Sequence, residues 1–111
     1  ALARKEAALL RFLQRRTTHG DLDGVIRGIG DFARERGWLK VAGGHKAGLI
    51  AAALRPGDHV VEFGTYVGYA SLLLLRRLRA LGGGGRVASC EVDATVAQVA
   101  RRIVAWAGAE E

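Results

Sequence analysis

Apolar residues in the first half of the chain recur at the three-to-four-residue spacing of amphipathic helices. Leu9, Leu10 and Leu13 predict a helix over Ala3–Arg16, with Lys5, Glu6 and Arg11 elsewhere on the cylinder, and Thr17-Thr18-His19-Gly20 breaks it. A second stripe, Leu22, Val25, Ile26, Ile29, Phe32 and Ala33, predicts a helix over Asp21–Arg36. Its acids Asp21 and Asp23 stand at the start and its bases Arg34 and Arg36 at the end, as the helix dipole favours, and Gly37 stops it. Gly24, Gly28 and Gly30 lie inside it, each costing about 1 kcal/mol relative to alanine. Either the helix is weak or the glycines permit close packing. Trp38 to Gly44 reads as a connecting loop, and a third helix over His45–Leu54 is closed by Arg55-Pro56-Gly57-Asp58.

The pattern then changes. His59-Val60-Val61-Glu62-Phe63 is a short β-branched run that reads as a buried strand. The loop Gly64-Thr65-Tyr66-Val67-Gly68 leads into a leucine-rich helix over Tyr69–Leu81, and Gly82 to Gly85 reads as a flexible linker. Arg86 to Val92 reads as a second strand, and Asp93 caps a last helix over Ala94–Ala107. The order is three helices, then strand–helix–strand–helix. The last part is a βαβ unit, which implies a parallel pair with a right-handed crossover and an α/β fold class. Two strands make a poor sheet alone, so the pattern calls for further strands after residue 111.

Composition adds bounds. With 111 residues the chain is one domain at most, and half of it is hydrophobic, as in ordinary globular proteins. The single cysteine, Cys90, excludes an intrachain disulfide and a cysteine-based zinc site, and its apolar strand marks it as an inert core thiol. His19, His45 and His59 have no metal-ligand spacing, and Lys46 reads as a surface residue. No apolar run reaches the roughly 18 residues of a membrane span, and the N-terminus lacks a signal-peptide layout, so a cytoplasmic location is expected. There is no methionine, even at position 1, and the chain stops directly after a helical pattern, so both ends are expected to continue in a longer protein. The net charge of +6 is mostly arginine. Its basic residues are scattered and no aromatics interleave with them, which favours solvated helix faces over a nucleic-acid surface.

Candidate chemistry gathers at Val60 to Tyr69. A strand ends near the acid Glu62, and a Gly-x-x-x-Gly loop leads into a helix. Ligands of open α/β sheets bind beyond the carboxyl ends of the strands. The dinucleotide fingerprint is absent: Tyr66 stands where its second glycine would meet a pyrophosphate. The second strand supplies Glu91, suited to a ribose diol. The ligand implied has a ribose, an amine-bearing tail and no phosphates, which S-adenosylmethionine fits. More modest roles stay open: Glu62 and Glu91 as rim acids, Tyr66 and Tyr69 as packing residues, Trp106 as core, and Trp38 as a lid against the sheet.

These residues carry a resemblance. Glu62-Phe63-Gly64-Thr65-Tyr66-Val67-Gly68-Tyr69 resembles the first motif of the catechol O-methyltransferase family. Trp38 to Ile50 resembles its loop and helix before the sheet, and Ser89-Cys90-Glu91-Val92-Asp93 with Ala105-Trp106-Ala107-Gly108 its second strand and next helix. The resemblance implies a Rossmann-like class I methyltransferase fold. Residues 1–111 would be its N-terminal, S-adenosylmethionine-binding half, with 1–56 a helical lead-in and 57–111 the strand–helix–strand–helix part. It implies that Ala42 presents its backbone N–H to the methionine carboxylate, that Glu62 and Gly64 line the amino-acid end, and that Tyr66 and Tyr69 pack around it. Glu91 would hold the ribose hydroxyls, Val92 would face the adenine, and Trp38 would wall the catechol pocket. Two positions depart. Lys40 replaces an apolar residue of the substrate wall, and Ala70 replaces a serine that bonds the methionine carboxylate, with Ser71 pointing elsewhere, so weaker cofactor affinity is expected. The family's magnesium ligands and general-base lysine come from later strands and loops, so no catalytic or metal residue is assigned and this chain alone is not expected to methylate its phenolic acceptor. The alternatives are a non-catalytic methyltransferase-like interaction module and, behind it, a basic nucleic-acid-binding domain.

Overall fold

The computed structural model describes residues 4–37 and 44–109. Trp38, Lys40 and Ala42, expected at the substrate wall and the methionine carboxylate, lie outside the described residues. The elements follow the predicted order: α1 (Arg4–Arg16), α2 (Leu22–Arg36), α3 (Gly44–Ala52), β1 (His59–Phe63), α4 (Tyr69–Leu81), β2 (Arg86–Cys90) and α5 (Ala94–Trp106). Among the described residues no helix is long and apolar enough to cross a membrane.

Local chemistry sets most boundaries. Asp21 caps α2 by accepting from the Gly24 N–H at 3.0 Å, and Gly37 ends it with φ 66°, its N–H donating to the Ala33 carbonyl. Asp93 caps α5, one carboxylate oxygen accepting from the N–H groups of Thr95 and Val96. The third helix stops at Ala52, two residues before the expected end, because Ala53 and Leu54 turn into tighter bonds to the carbonyls of Ile50 and Ala51.

The core is a layer of helices. α1 packs on α2 and α5, and α4 packs on α2, α3 and β2. Leu9, Phe12 and Leu13 of α1 meet Val25, Ile29 and Phe32 of α2, with Val67, Leu72 and Ile103 closing the cluster. Gly28 resolves the choice between weakness and close packing: a Cβ there would sit 2.7 Å from the Leu13 side chain and 3.0 Å from that of Thr17. The glycine lets α1 approach. Glu6 corrects the expected helix face, for it is buried at 5% exposure on the same stripe as Leu9, Leu10 and Leu13. Trp106, expected in the core, is half-buried; its indole N–H donates to the Thr17 hydroxyl at 2.9 Å and its ring stacks on His19.

β1 and β2 form a two-stranded parallel sheet in the register Val60↔Val87 and Glu62↔Ser89. The expectation of a buried first strand is corrected: Val61 is 63% exposed and Phe63 84%. Side chains alternate across a strand. Glu62 reaches Ser71 of α4 and Val60 shares its side of the strand, whereas Val61 and Phe63 point to the opposite, exposed side. Cys90 is likewise exposed, not a core thiol. The glycines after α4 do not form a slack linker. A Cβ on Gly83 would lie 2.8 Å from the Gly57 nitrogen, and one on Gly85 would lie 2.7 Å from the Asp58 carbonyl oxygen. The two turns press backbone to backbone, and the Arg86 N–H donates to the Asp58 carbonyl to start the ladder.

Candidate functional site at the carboxyl rim of the sheet

Both strands end at the same rim, and the loop after β1 folds over the end of β2. The N–H groups of Gly64 and Thr65 both donate to the Cys90 carbonyl, at 2.7 and 3.1 Å. Gly64 makes this bend with φ 91°, in the region that side chains rarely adopt, and nothing lies within 4 Å of where its Cβ would be. Gly68 ends the loop with φ 89° and caps α4. Between them Tyr66 is the described non-glycine residue with a positive φ, 49°. For an L-residue this left-handed conformation costs about 1–2 kcal/mol and needs support from its surroundings.

Two acids supply that support. The Tyr66 N–H donates to Glu91 Oε1 at 2.8 Å, and its hydroxyl donates to Glu6 Oε2 at 2.6 Å. The second oxygen of Glu91 accepts from the Asp93 N–H at 3.2 Å. A carboxylate has about four acceptor positions, so among the described residues each Glu91 oxygen keeps room for one more donor. Glu91 lies one residue past β2, which ends at Cys90 and not at Val92 as expected. Val92 is fully exposed beside it.

Glu62 forms a second cluster. Its Oε1 accepts from the Ser71 hydroxyl and, at 2.7 Å, from the Ser89 hydroxyl, and the two serines are 2.9 Å apart. Ser71, expected to point away from the methionine carboxylate, is buried and turned to Glu62 on β1. No described group hydrogen-bonds Glu62 Oε2. Ala70, in the first turn of α4, has no side-chain hydrogen-bonding group to offer. The structure thus joins Tyr66 to Glu91 and sets Glu62 on the adjacent strand. It places Tyr69 in a different recess, with Ile26 and Leu73 between α2, α3 and α4. Thr65, Ser71, Ser89 and Glu91 also line a groove of about 990 Å³ between β2, α4 and α5, within the size range of small-molecule sites.

Sequence reasoning missed the pairing of Glu6 with Tyr66 and of Ser71 and Ser89 with Glu62. Glu6 could have been found from its spacing, since it precedes Leu9, Leu10 and Leu13 by three, four and seven residues. The serines could not, because their meeting depends on the strand register and on how α4 lies against the sheet.

Burial, the hydrogen bond to Glu6 and the charge of Glu6 together push the Tyr66 hydroxyl well above the usual tyrosine range, in that order of weight. The folded protein therefore holds this proton more tightly than the unfolded chain does. The associated stability is complete below the ordinary phenol value near 10 and is lost as pH rises above it. Urea midpoints measured from about pH 8 to about pH 11 are expected to fall at the alkaline end, and less so in Tyr66→Phe. Equal slopes in the two proteins would show that the Tyr66–Glu6 contact does not form.

No family model matches the chain. Curated relatives do. Catechol O-methyltransferase B of Danio rerio is 35% identical over 106 residues, covering 93% of this chain and 39% of the relative. A probable O-methyltransferase of Mycobacterium tuberculosis is 35% identical over 109 residues, covering 96% of this chain and 45% of that protein. Catechol O-methyltransferase of Bos taurus is 28% identical over 109 residues, again 96% of this chain and 39% of the relative. The chain thus spans less than half the length of each of these relatives. The likeness runs through nearly all of the chain and supports its assignment to the catechol O-methyltransferase family.

Proposed function

We propose that the rim binds S-adenosylmethionine, and that the chain is the cofactor-binding part of an O-methyltransferase whose whole form methylates a phenolic or catechol hydroxyl. The observation that carries this reading is the state of Glu91. Its carboxylate is held by two backbone N–H groups and keeps one acceptor position on each oxygen, the pattern that a cis-diol would complete. Charge-assisted bonds of this type contribute about 1.5–3 kcal/mol each.

The other residues fit the rest of the cofactor. Gly64 leaves open space at the end of β1, where a ligand backbone can come close. Glu62 has an oxygen for a cationic amine. Exposed Val92 gives an apolar surface for a base. In this reading residues 1–56 are the helical lead-in and 57–111 the cofactor-binding part of one domain. Bound cofactor supplies an electrophilic methyl group; the residues here bind and orient it. Among the described residues no group of three or more His, Cys, Asp or Glu side chains could hold a metal ion such as magnesium.

Titration calorimetry with S-adenosylhomocysteine tests the proposal. Saturable binding is expected, weakened at least tenfold in Glu91→Ala, or about 1.4 kcal/mol. A folded protein that shows no binding would overturn it.

A further inference from the structure

We propose that Glu6, far from the rim in sequence, is a positioning residue for the ribose-binding carboxylate of Glu91, acting through Tyr66; this rests on the reading of Glu91 as the ribose contact. One residue bridges the two acids. The Tyr66 hydroxyl is anchored to Glu6 on α1 at 2.6 Å, and the Tyr66 N–H is aimed at Glu91 at 2.8 Å. The residue between these two bonds has φ 49°, a backbone state that a tyrosine does not hold without restraint. Fixing the far end of the ring restrains the backbone, and with it the direction of the N–H.

The placement of Glu6 argues for a role beyond filling space. It is 5% exposed and shares its stripe with Leu9, Leu10 and Leu13. An apolar residue there would extend the core, whereas a buried carboxylate must be desolvated and is tolerated only with a partner. Its partner, Tyr66, also donates its own N–H to Glu91. Without Glu6 the Tyr66 ring loses its anchor, the loop relaxes towards negative φ, and the N–H turns away from Glu91. The carboxylate then keeps its 3.2 Å bond from the Asp93 N–H but loses the shorter one, and no longer presents two fixed acceptors to a diol. The burial that keeps the Tyr66 hydroxyl protonated also keeps it a donor to Glu6 throughout the neutral and mildly alkaline range.

The test compares S-adenosylhomocysteine with its 2′-deoxy analogue by titration calorimetry on the whole protein and on Glu6→Ala, Glu6→Gln, Tyr66→Phe and Glu91→Ala. The unsubstituted protein is expected to prefer the ribose form by tenfold or more, and Glu91→Ala to lose that preference. Glu6→Ala and Tyr66→Phe are expected to reduce it at least fivefold with helical circular dichroism unchanged. Glu6→Gln, whose amide oxygen still accepts from the hydroxyl, is expected to retain most of it. A Glu6→Ala protein that weakens both ligands equally and keeps the preference would overturn the positioning role. If Glu91→Ala keeps the preference, it is the ribose reading that fails. Should Glu6→Ala not fold, Tyr66→Phe carries the same test, because it removes one hydroxyl and keeps the ring.

Discussion

Phe32→Ala is expected to lower the stability of the protein by about 3–5 kcal/mol, the range for deleting a buried aromatic ring. Phe32 is fully buried, and its ring meets that of Phe12 edge-to-face at a centroid distance of 5.2 Å. It stands where α1 and α2 press together, and the glycine contact at Gly28 leaves the two helices little freedom to collapse into the space. A domain of this size has a total stability of about 5–15 kcal/mol, so the variant loses a large share of it. Urea unfolding followed by circular dichroism measures the change. A loss below about 1 kcal/mol would mean that the helical layer is not the core.

Gly64→Val is expected to weaken S-adenosylhomocysteine binding at least a hundredfold, or about 2.7 kcal/mol. Two effects add. The backbone has φ 91°, which a β-branched residue avoids, and the side chain would enter the open space that the proposed ligand occupies. Gly20→Val separates them. Gly20 has φ 87° and equally open surroundings, but lies in the turn between α1 and α2. Its substitution is expected to cost comparable stability and to leave binding within about twofold. Equal binding losses in the two variants would show that strain alone, not occupancy of the rim, explains the effect at Gly64.

The helical half was legible because its signals are local. The spacing of Val25, Ile26, Ile29 and Phe32 marks a face, Asp21 and Gly37 mark its ends, and each acts within a turn or two of the chain. The rim was legible for a related reason: Gly64, Gly68 and the acid at the end of the second strand are close in sequence to the turns they make. The exposure of Val61, Phe63 and Cys90 was not legible. A β-branched run has the same composition whether or not a second layer covers it, and coverage comes from distant segments. The glycines at 82–85 misled in the opposite sense, since nothing local shows that Gly83 and Gly85 press on the turn at Gly57 and Asp58.

The sequence by itself determined the order and type of the elements, the caps, and the location of the candidate site at the strand ends, because these follow from short-range sterics and hydrogen bonding. Only the tertiary structure decided the partners: Glu62 with Ser71 and Ser89, Tyr66 with Glu6 on one side and Glu91 on the other. Those pairs join separate elements of the fold. Their hydrogen bonds depend on strand register and helix packing to within about an ångström, a precision that spacing along the chain does not carry.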